Sequence, residues 1–386
     1  MMTMDSFSFK RPHLAIAYCD SLAGKGIAHA ASGLFLAGPR RVGKSTFLKE
    51  NLIPEINQRD WISIYVDLWA NKNADPGHLV IEAIKRAIAT HTPLTTKLTQ
   101  ATKQIKIMGS IVLDFANPGL PDNMSLADAL RLLNEITHKP LVLLVDEAQH
   151  ALTTPDGQNT MFAIKSARDQ LNRSDQTSSL MLVLTGSNRD KLTQLVIKKD
   201  QPFFGSEITP FPLLGKDYTD AFTEWVNRNL ATHNQFTKDS MWTAFKLVGH
   251  RPEVLRQIVG RTAISGAAHC FTELLEKDAN IWQSRLWEDF ENDFNALSLL
   301  HQVILTELVN KGRTWSPFSD ESLQYYKKVT EQSEITTSTV QAAIQQLRER
   351  GFIWQSSRGS YALEDDSFQE WFKLHAMQCP INPLGQ

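Results

Sequence analysis

The segment Gly38-Pro39-Arg40-Arg41-Val42-Gly43-Lys44-Ser45 constrains this chain more than any other. It matches G-x-x-x-x-G-K-[ST] at every fixed position, a pattern whose backbone N–H groups wrap around a polyphosphate. Gly38 and Gly43 permit the close approach and unusual dihedrals that a Cβ would obstruct. Lys44 is expected to place a point charge on the β- and γ-phosphates, and the Ser45 hydroxyl to ligate Mg²⁺. The apolar run Leu34 to Ala37 reads as a buried strand, and Ser45 to Leu52 as the start of a helix whose positive dipole end faces the same anion. Pro39, Arg40, Arg41, Val42 and Thr46 complete the expected nucleotide contacts.

A chain of 386 residues exceeds one ordinary core, so two or three domains are expected. Hydrophobic content of 42% and charged content of 21% are those of a soluble globular protein. No apolar run approaches the length of a membrane span, and the N-terminus lacks a basic region followed by an apolar stretch, so neither a membrane segment nor a signal peptide is expected. Cys19, Cys270 and Cys379 match no metal spacing and suit a reducing cytoplasm, the expected location. With a net charge of −2, any nucleic-acid binding must come from a local patch.

Arg11 to Leu22 has helical spacing, Trp61 to Leu68 reads as a second strand, and Leu79 to Thr90 as a helix. Ile105 to Phe115 reads as a small hairpin turning at Gly109-Ser110, and Ser125 as the cap of a helix through Leu133. The next buried strand, Leu141 to Val145, delivers Asp146 and Glu147 at its C-terminal edge. Asp146 there would hold Mg²⁺ through its water shell, and Glu147 would act as general base toward an attacking water. A third buried strand, Ser179 to Leu184, ends in Thr185-Gly186-Ser187-Asn188-Arg189-Asp190. In a parallel sheet that edge lines the same crevice, so Ser187, Asn188 and Arg189 are candidates for sensing phosphate or orienting water.

From Leu214 to about Leu286 the pattern is all helical, and Gly249-His250-Arg251-Pro252 precedes a helix beginning at Pro252. A cationic Arg251 at a helix start is electrostatically unusual unless an anion lies nearby. The last segment runs helix, helix, helix, hairpin, with Thr337 to Arg350 in the recognition-helix position of a winged helix and Ser357-Arg358-Gly359 as the wing turn.

With these pieces in order, the chain resembles the AAA+/STAND-like ATPases of the archaeal-type and origin-recognition-like group. Those proteins join a P-loop domain, a helical lid and a C-terminal winged helix. The matching residues are the phosphate loop, Leu143 to Gln149, Leu184 to Ser187 as a first sensor, Gly249 to Pro252 as a lid motif, Arg348 to Ile353, and Asp365 to Trp371. The resemblance implies an α/β P-loop NTPase fold: about five parallel strands with the phosphate-loop strand central and helices on both sides. It also implies ATP and Mg²⁺ as ligands, with Ser187, Arg251 and Pro252 near the nucleotide. The corresponding divisions are 1–30 (N-terminal segment), 31–212 (ATPase), 213–292 (lid), 293–378 (winged helix) and 379–386 (tail). Arg168 and Arg173 are the candidates for a trans-acting arginine, and Ser206 stands where relatives often carry Arg.

The function expected is ATP hydrolysis, at a slow rate, driving a molecular switch whose state frees or docks the winged helix. Its partner would be DNA or a protein such as a co-encoded effector, with a homo-oligomer also open. A DNA-binding regulator or loader, or an adaptor using ATP without hydrolysis, are the alternatives. Residues 296–375 carry 8 lysines and arginines against 10 acidic residues, an unusual balance for a DNA module. Contacts to DNA would therefore fall to a stripe of Arg348, Arg350 and Arg358.

Overall fold

The computed structural model describes residues 7–25, 30, 32–71, 74–92, 98–99, 104–107, 111–114, 119–121, 124–172, 179–264, 270–357 and 359–375. These cluster into two units. One is Lys10–Gly38 with Lys44–Phe211; the other is Pro212 onward, together with Pro39–Gly43 and the N-terminal residues up to Phe9. No helix of the described residues is long and apolar enough to cross a membrane.

The first unit carries α1 (Pro12–Leu22), β1 (Leu34–Ala37), α2 (Lys44–Phe47), α3 (Ile53–Gln58), β2 (Ile62–Asp67) and α4 (Pro76–His91). After them come the short strands β3 (Leu98–Thr99), β4 (Gln104–Ile107) and β5 (Ile111–Asp114), then α5 (Leu126–Thr137), β6 (Leu141–Asp146), α6 (Pro155–Leu171), β7 (Leu180–Gly186), α7 (Arg189–Ile197) and β8 (Ile208–Pro210). The main sheet has the order β2-β6-β7-β1-β8 and is parallel throughout. Every residue of β6 and β7 is buried, as expected of strands covered on both faces. The edge strand β2 alternates instead, burying Ile62, Ile64 and Val66 and leaving Ser63, Tyr65 and Asp67 half-buried on the other face. One expectation is corrected: the phosphate-loop strand β1 is not central. The longest fully buried run, β7, takes the middle, and four-residue β1 lies between it and the short edge strand β8.

The expected hairpin near residue 110 exists as β4 paired antiparallel with β5, with β3 added alongside; its turn at Gly109-Ser110 lies outside the described residues. Ser125 caps α5 through a reciprocal box with Asp128, whose carboxylate accepts the Ser125 N–H at 3.1 Å. The helix after the phosphate loop is not regular. One turn, α2, passes into a π-helical turn at Leu48–Leu52 before α3. Pro54 supplies the cause, since it has no N–H for the Glu50 carbonyl four residues back. That carbonyl accepts a hydrogen bond from Lys10 Nζ at 2.9 Å instead.

The second unit contains α8 (Lys216–Asn227), α9 (Lys238–Leu247), α10 (Pro252–Ile264) and the 25-residue α11 (Phe271–Asn295). Tyr218, Phe222, Met241, Phe245, Leu255 and Leu275 form their core, and the Phe7 ring packs 5.1 Å from that of Phe222. Next come α12 (Leu299–Lys311), α13 (Asp320–Thr330), α14 (Thr337–Glu349), the hairpin β9 (Ile353–Ser357) and β10 (Ser360–Leu363), and α15 (Asp366–His375). This is the expected winged-helix order. Val340, Ile344 and Leu347 face a separate core with Phe294, Tyr326 and Trp371.

Candidate functional site

The phosphate loop has the backbone its sequence demands. Gly43 lies at φ +90 and Arg41 at φ +66, both in the left-handed region. Lys44 opens α2 with its side chain buried, and its ammonium donates to the Gly38 carbonyl at 2.7 Å, which ties the end of the loop to its beginning. Ser45 is half-buried and Thr46 exposed on the same turn; Val42 is buried and Arg40 exposed. Pro39 is half-buried, and the Arg41 guanidinium sits 3.6 Å from Glu253 in α10.

At the end of β6 two carboxylates are held in different ways. Asp146 has no exposed surface, and both its oxygens accept from hydroxyls: Oδ1 from Thr185 on β7, Oδ2 from Tyr65 on β2 at 2.8 Å. No cation of the described residues is paired with it, although burying an uncompensated carboxylate costs several kcal/mol, about 5 or more. The Tyr65 phenol responds: burial and then the negative charge of Asp146 push its pKa up. Glu147 is in the left-handed conformation, φ +56, which costs a non-glycine residue about 1–3 kcal/mol. Its Oε2 accepts from Ser187 Oγ at 2.6 Å, from the Ser187 N–H at 3.3 Å and from Gln149 Nε2. Gln149 also donates to Ser187 Oγ at 3.3 Å, completing a triangle. A Cβ on Gly186 would lie 2.8 Å from Gln149 Oε1 and 3.0 Å from Leu192 Cβ, so a larger residue there would displace the Gln149 amide.

Ser187 is therefore placed against Glu147. Asn188 caps α7, its side-chain oxygen accepting the Lys191 N–H at 2.8 Å. Arg189 is the first, half-buried residue of that helix. Arg168 pairs with Asp169 at 2.6 Å and donates to the Ser32 carbonyl. Arg173 and Arg358 lie outside the described residues.

In the second unit, Gly249 (φ +64) and His250 (φ +55) form two successive left-handed residues before Pro252, the first residue of α10. The turn aims Arg251 at Asp365, with a 2.9 Å ion pair, while its guanidinium lies 5.2 Å from the Trp282 ring. Arg251 is thus committed to the segment leading into α15. That bond joins the turn before α10 to the segment before α15. Arg348 is half-buried and Arg350 exposed at the end of α14, with the Arg350 guanidinium 5.7 Å from the centroid of the Phe352 ring.

Tyr65 lies in no motif, and Thr185 and Gln149 lie inside matched segments without a role of their own being assigned from sequence. Only Gln149 has a local signal, being two residues beyond Glu147.

A divalent cation fits the first unit's geometry. The Asp146 carboxylate accepts only from neutral hydroxyls, and Ser45 is a hydroxyl on the first turn after the loop. No group of three or more His, Cys, Asp or Glu among the described residues could hold a metal alone, so phosphate oxygens would have to complete the coordination.

No protein-family model and no curated protein matches the chain. Among solved structures, the Aeropyrum pernix ORC2 protein in its ADP form is similar with a TM-score of 0.56 at 13% identity, over 95% of this chain and 93% of that one. A Walker-type ATPase of Pyrococcus abyssi scores 0.48 at 20% identity, over 89% and 91%; the Aeropyrum pernix ORC1 protein in complex with DNA scores 0.39 at 14%, over 94% and 91%. The last two scores are too low to establish a common fold. The first shows that this chain shares the fold of the Aeropyrum pernix ORC2 protein, in agreement with the fold that the resemblance implies.

Proposed function

We propose that the chain binds ATP with Mg²⁺ at Gly38 to Thr46 and hydrolyses it slowly, as an AAA+-type switch governing its winged helix. The observation that carries this is the pair Asp146 and Glu147 at one strand end, the first buried with its charge uncompensated and the second held in a strained backbone by three donors. Two acids at one strand end, kept apart by different neighbours, suit two different roles. Bound Mg²⁺ would supply positive charge to the phosphate oxygens. Lys44 neutralises the β- and γ-phosphates, Ser45 and Asp146 hold the metal's position, and Ser187 with Gln149 orients Glu147. With Oε2 occupied, Glu147 takes the proton from water through Oε1 as the water oxygen bonds to the γ-phosphorus and the bond to the β-phosphate oxygen breaks, leaving ADP and phosphate.

The lid would transmit nucleotide state to the winged helix through the Arg251–Asp365 bond. The winged helix then engages a protein partner or DNA, the latter through Arg348, Arg350 and Arg358. Its acidic balance favours the protein.

Lys44→Ala tests the whole reading. Its loss should reduce ATP affinity beyond detection in a titration while the melting temperature holds. Wild-type affinity in the folded variant would overturn the proposal.

A further inference from the structure

Asp146 is fixed from both sides by strands that flank it. Thr185 follows Leu184, the register partner of Val145, and so stands beside Asp146 on β7. On β2 the residue directly beside Asp146 is Asp67, while Tyr65 is opposite Leu144, two residues short. Two residues along a strand is about 7 Å. The phenol spans that distance and bonds Oδ2 at 2.8 Å, whereas serine or threonine at position 65 would fall short. Lysine or arginine would reach but would neutralise the carboxylate. The ring itself is pinned, with Lys49 Nζ 4.9 Å from its centroid on the helix that follows the phosphate loop.

We infer that Tyr65 is a positioning residue for the metal site: it holds Asp146 in one rotamer with a neutral donor, leaving the full carboxylate charge for Mg²⁺. Thr185 holds the other oxygen in the same manner. The inference rests on the ATP–Mg²⁺ reading proposed above. Its chemical content is narrower. A carboxylate deprived of one donor rotates among alternatives, and the metal must select the productive one. Affinity for Mg²⁺ therefore falls while the nucleotide's own contacts remain.

The test is Tyr65→Phe, which keeps the ring and its packing and removes one hydroxyl. ATP binding is titrated by calorimetry in Mg²⁺ and in EDTA, and hydrolysis is followed across Mg²⁺ concentrations. Loss of one hydrogen bond to a charged group should raise the half-saturating Mg²⁺ by about tenfold. Affinity in EDTA should be unchanged, and excess Mg²⁺ should restore kcat. A tyrosine that served only packing would leave the Mg²⁺ dependence alone, since phenylalanine keeps that packing, and that result would overturn the inference. Wild-type protein that binds ATP equally in Mg²⁺ and EDTA would overturn it as well, while leaving nucleotide binding standing. Absence of any ATP binding by wild type would instead remove the reading beneath it.

Discussion

Asp146 in the first unit and Glu307 in the second are both buried carboxylates, and these two are treated in opposite ways. Glu307 in the winged helix, 4% exposed, accepts from Tyr326 OH at 2.6 Å, Trp315 Nε1 at 2.7 Å and Ser322 Oγ at 2.9 Å, and pairs with Lys311 at 2.8 Å. Its charge is matched within the fold, and α12, α13 and the turn at Trp315 are joined through it. Asp146 has only the two hydroxyls of Tyr65 and Thr185 and no cation among the described residues. A carboxylate that serves structure is neutralised by its own chain; one left charged in a buried place is available to a ligand. The contrast separates scaffold from site without reference to any relative.

The sharpest way to break that contrast is through Glu147, the second acid of the pair. Glu147→Gln should bind ATP as wild type does and hydrolyse it about 10²–10⁴-fold more slowly, since an amide accepts no proton from water. Single-turnover rates at saturating ATP check this, and equal rates would reduce Glu147 to a strand end.

Next in size are opposite stability effects. Glu307→Ala strands the Tyr326, Trp315 and Ser322 donors and should lower unfolding free energy by about 3 kcal/mol. Asp146→Asn relieves an unmatched charge, and its amide still meets both hydroxyls. Ligand-free protein should then be more stable by about 1 kcal/mol, yet lose the gain that Mg²⁺ brings to ATP binding. Urea unfolding of both variants decides; loss of stability in both would erase the distinction.

The smallest effect is in pH. Burial works to raise the Glu307 carboxyl, but the Lys311 ammonium and the Tyr326, Trp315 and Ser322 donors outweigh it, leaving its pKa below the ordinary 4.5. A value depressed on folding adds stability that is complete above about 4.5 and is lost as pH falls through the folded value. Melting of wild type should therefore decline on acidification below that point, and Glu307→Gln should show a shallower decline.

Much of this is legible in the sequence because it is local. The phosphate loop, the Asp146-Glu147 pair and the face of α14 each lie within a single short segment, where spacing alone reports geometry. Tyr65 is not legible: its bond to Asp146 joins residues 81 apart and exists only because β2 lies next to β6. The bond Arg251 makes is hidden for the same reason. Its unusual charge at a helix start indicates an anion, and within the chain that anion is Asp365, 114 residues away. The cap that Asn188 forms is legible from sequence, since a polar residue just before a helix is a favoured N-cap.

Helix α11 has one more consequence. It gives Phe271, Leu275 and Ala279 to the lid core and Phe294 to that of the winged helix, with Trp287 and Phe290 packed beside it. Lid and wing are thus keyed to one shaft, with no joint between their keys. Each residue of a helix turns it by about 100° and advances it about 1.5 Å. A single residue added between Trp282 and Trp287 would rotate one key away from its lock. Seven would bring it back within about 20° of its starting angle, displaced by about 10 Å. The spacing along this shaft is a phase, and length can vary here only in steps that preserve it.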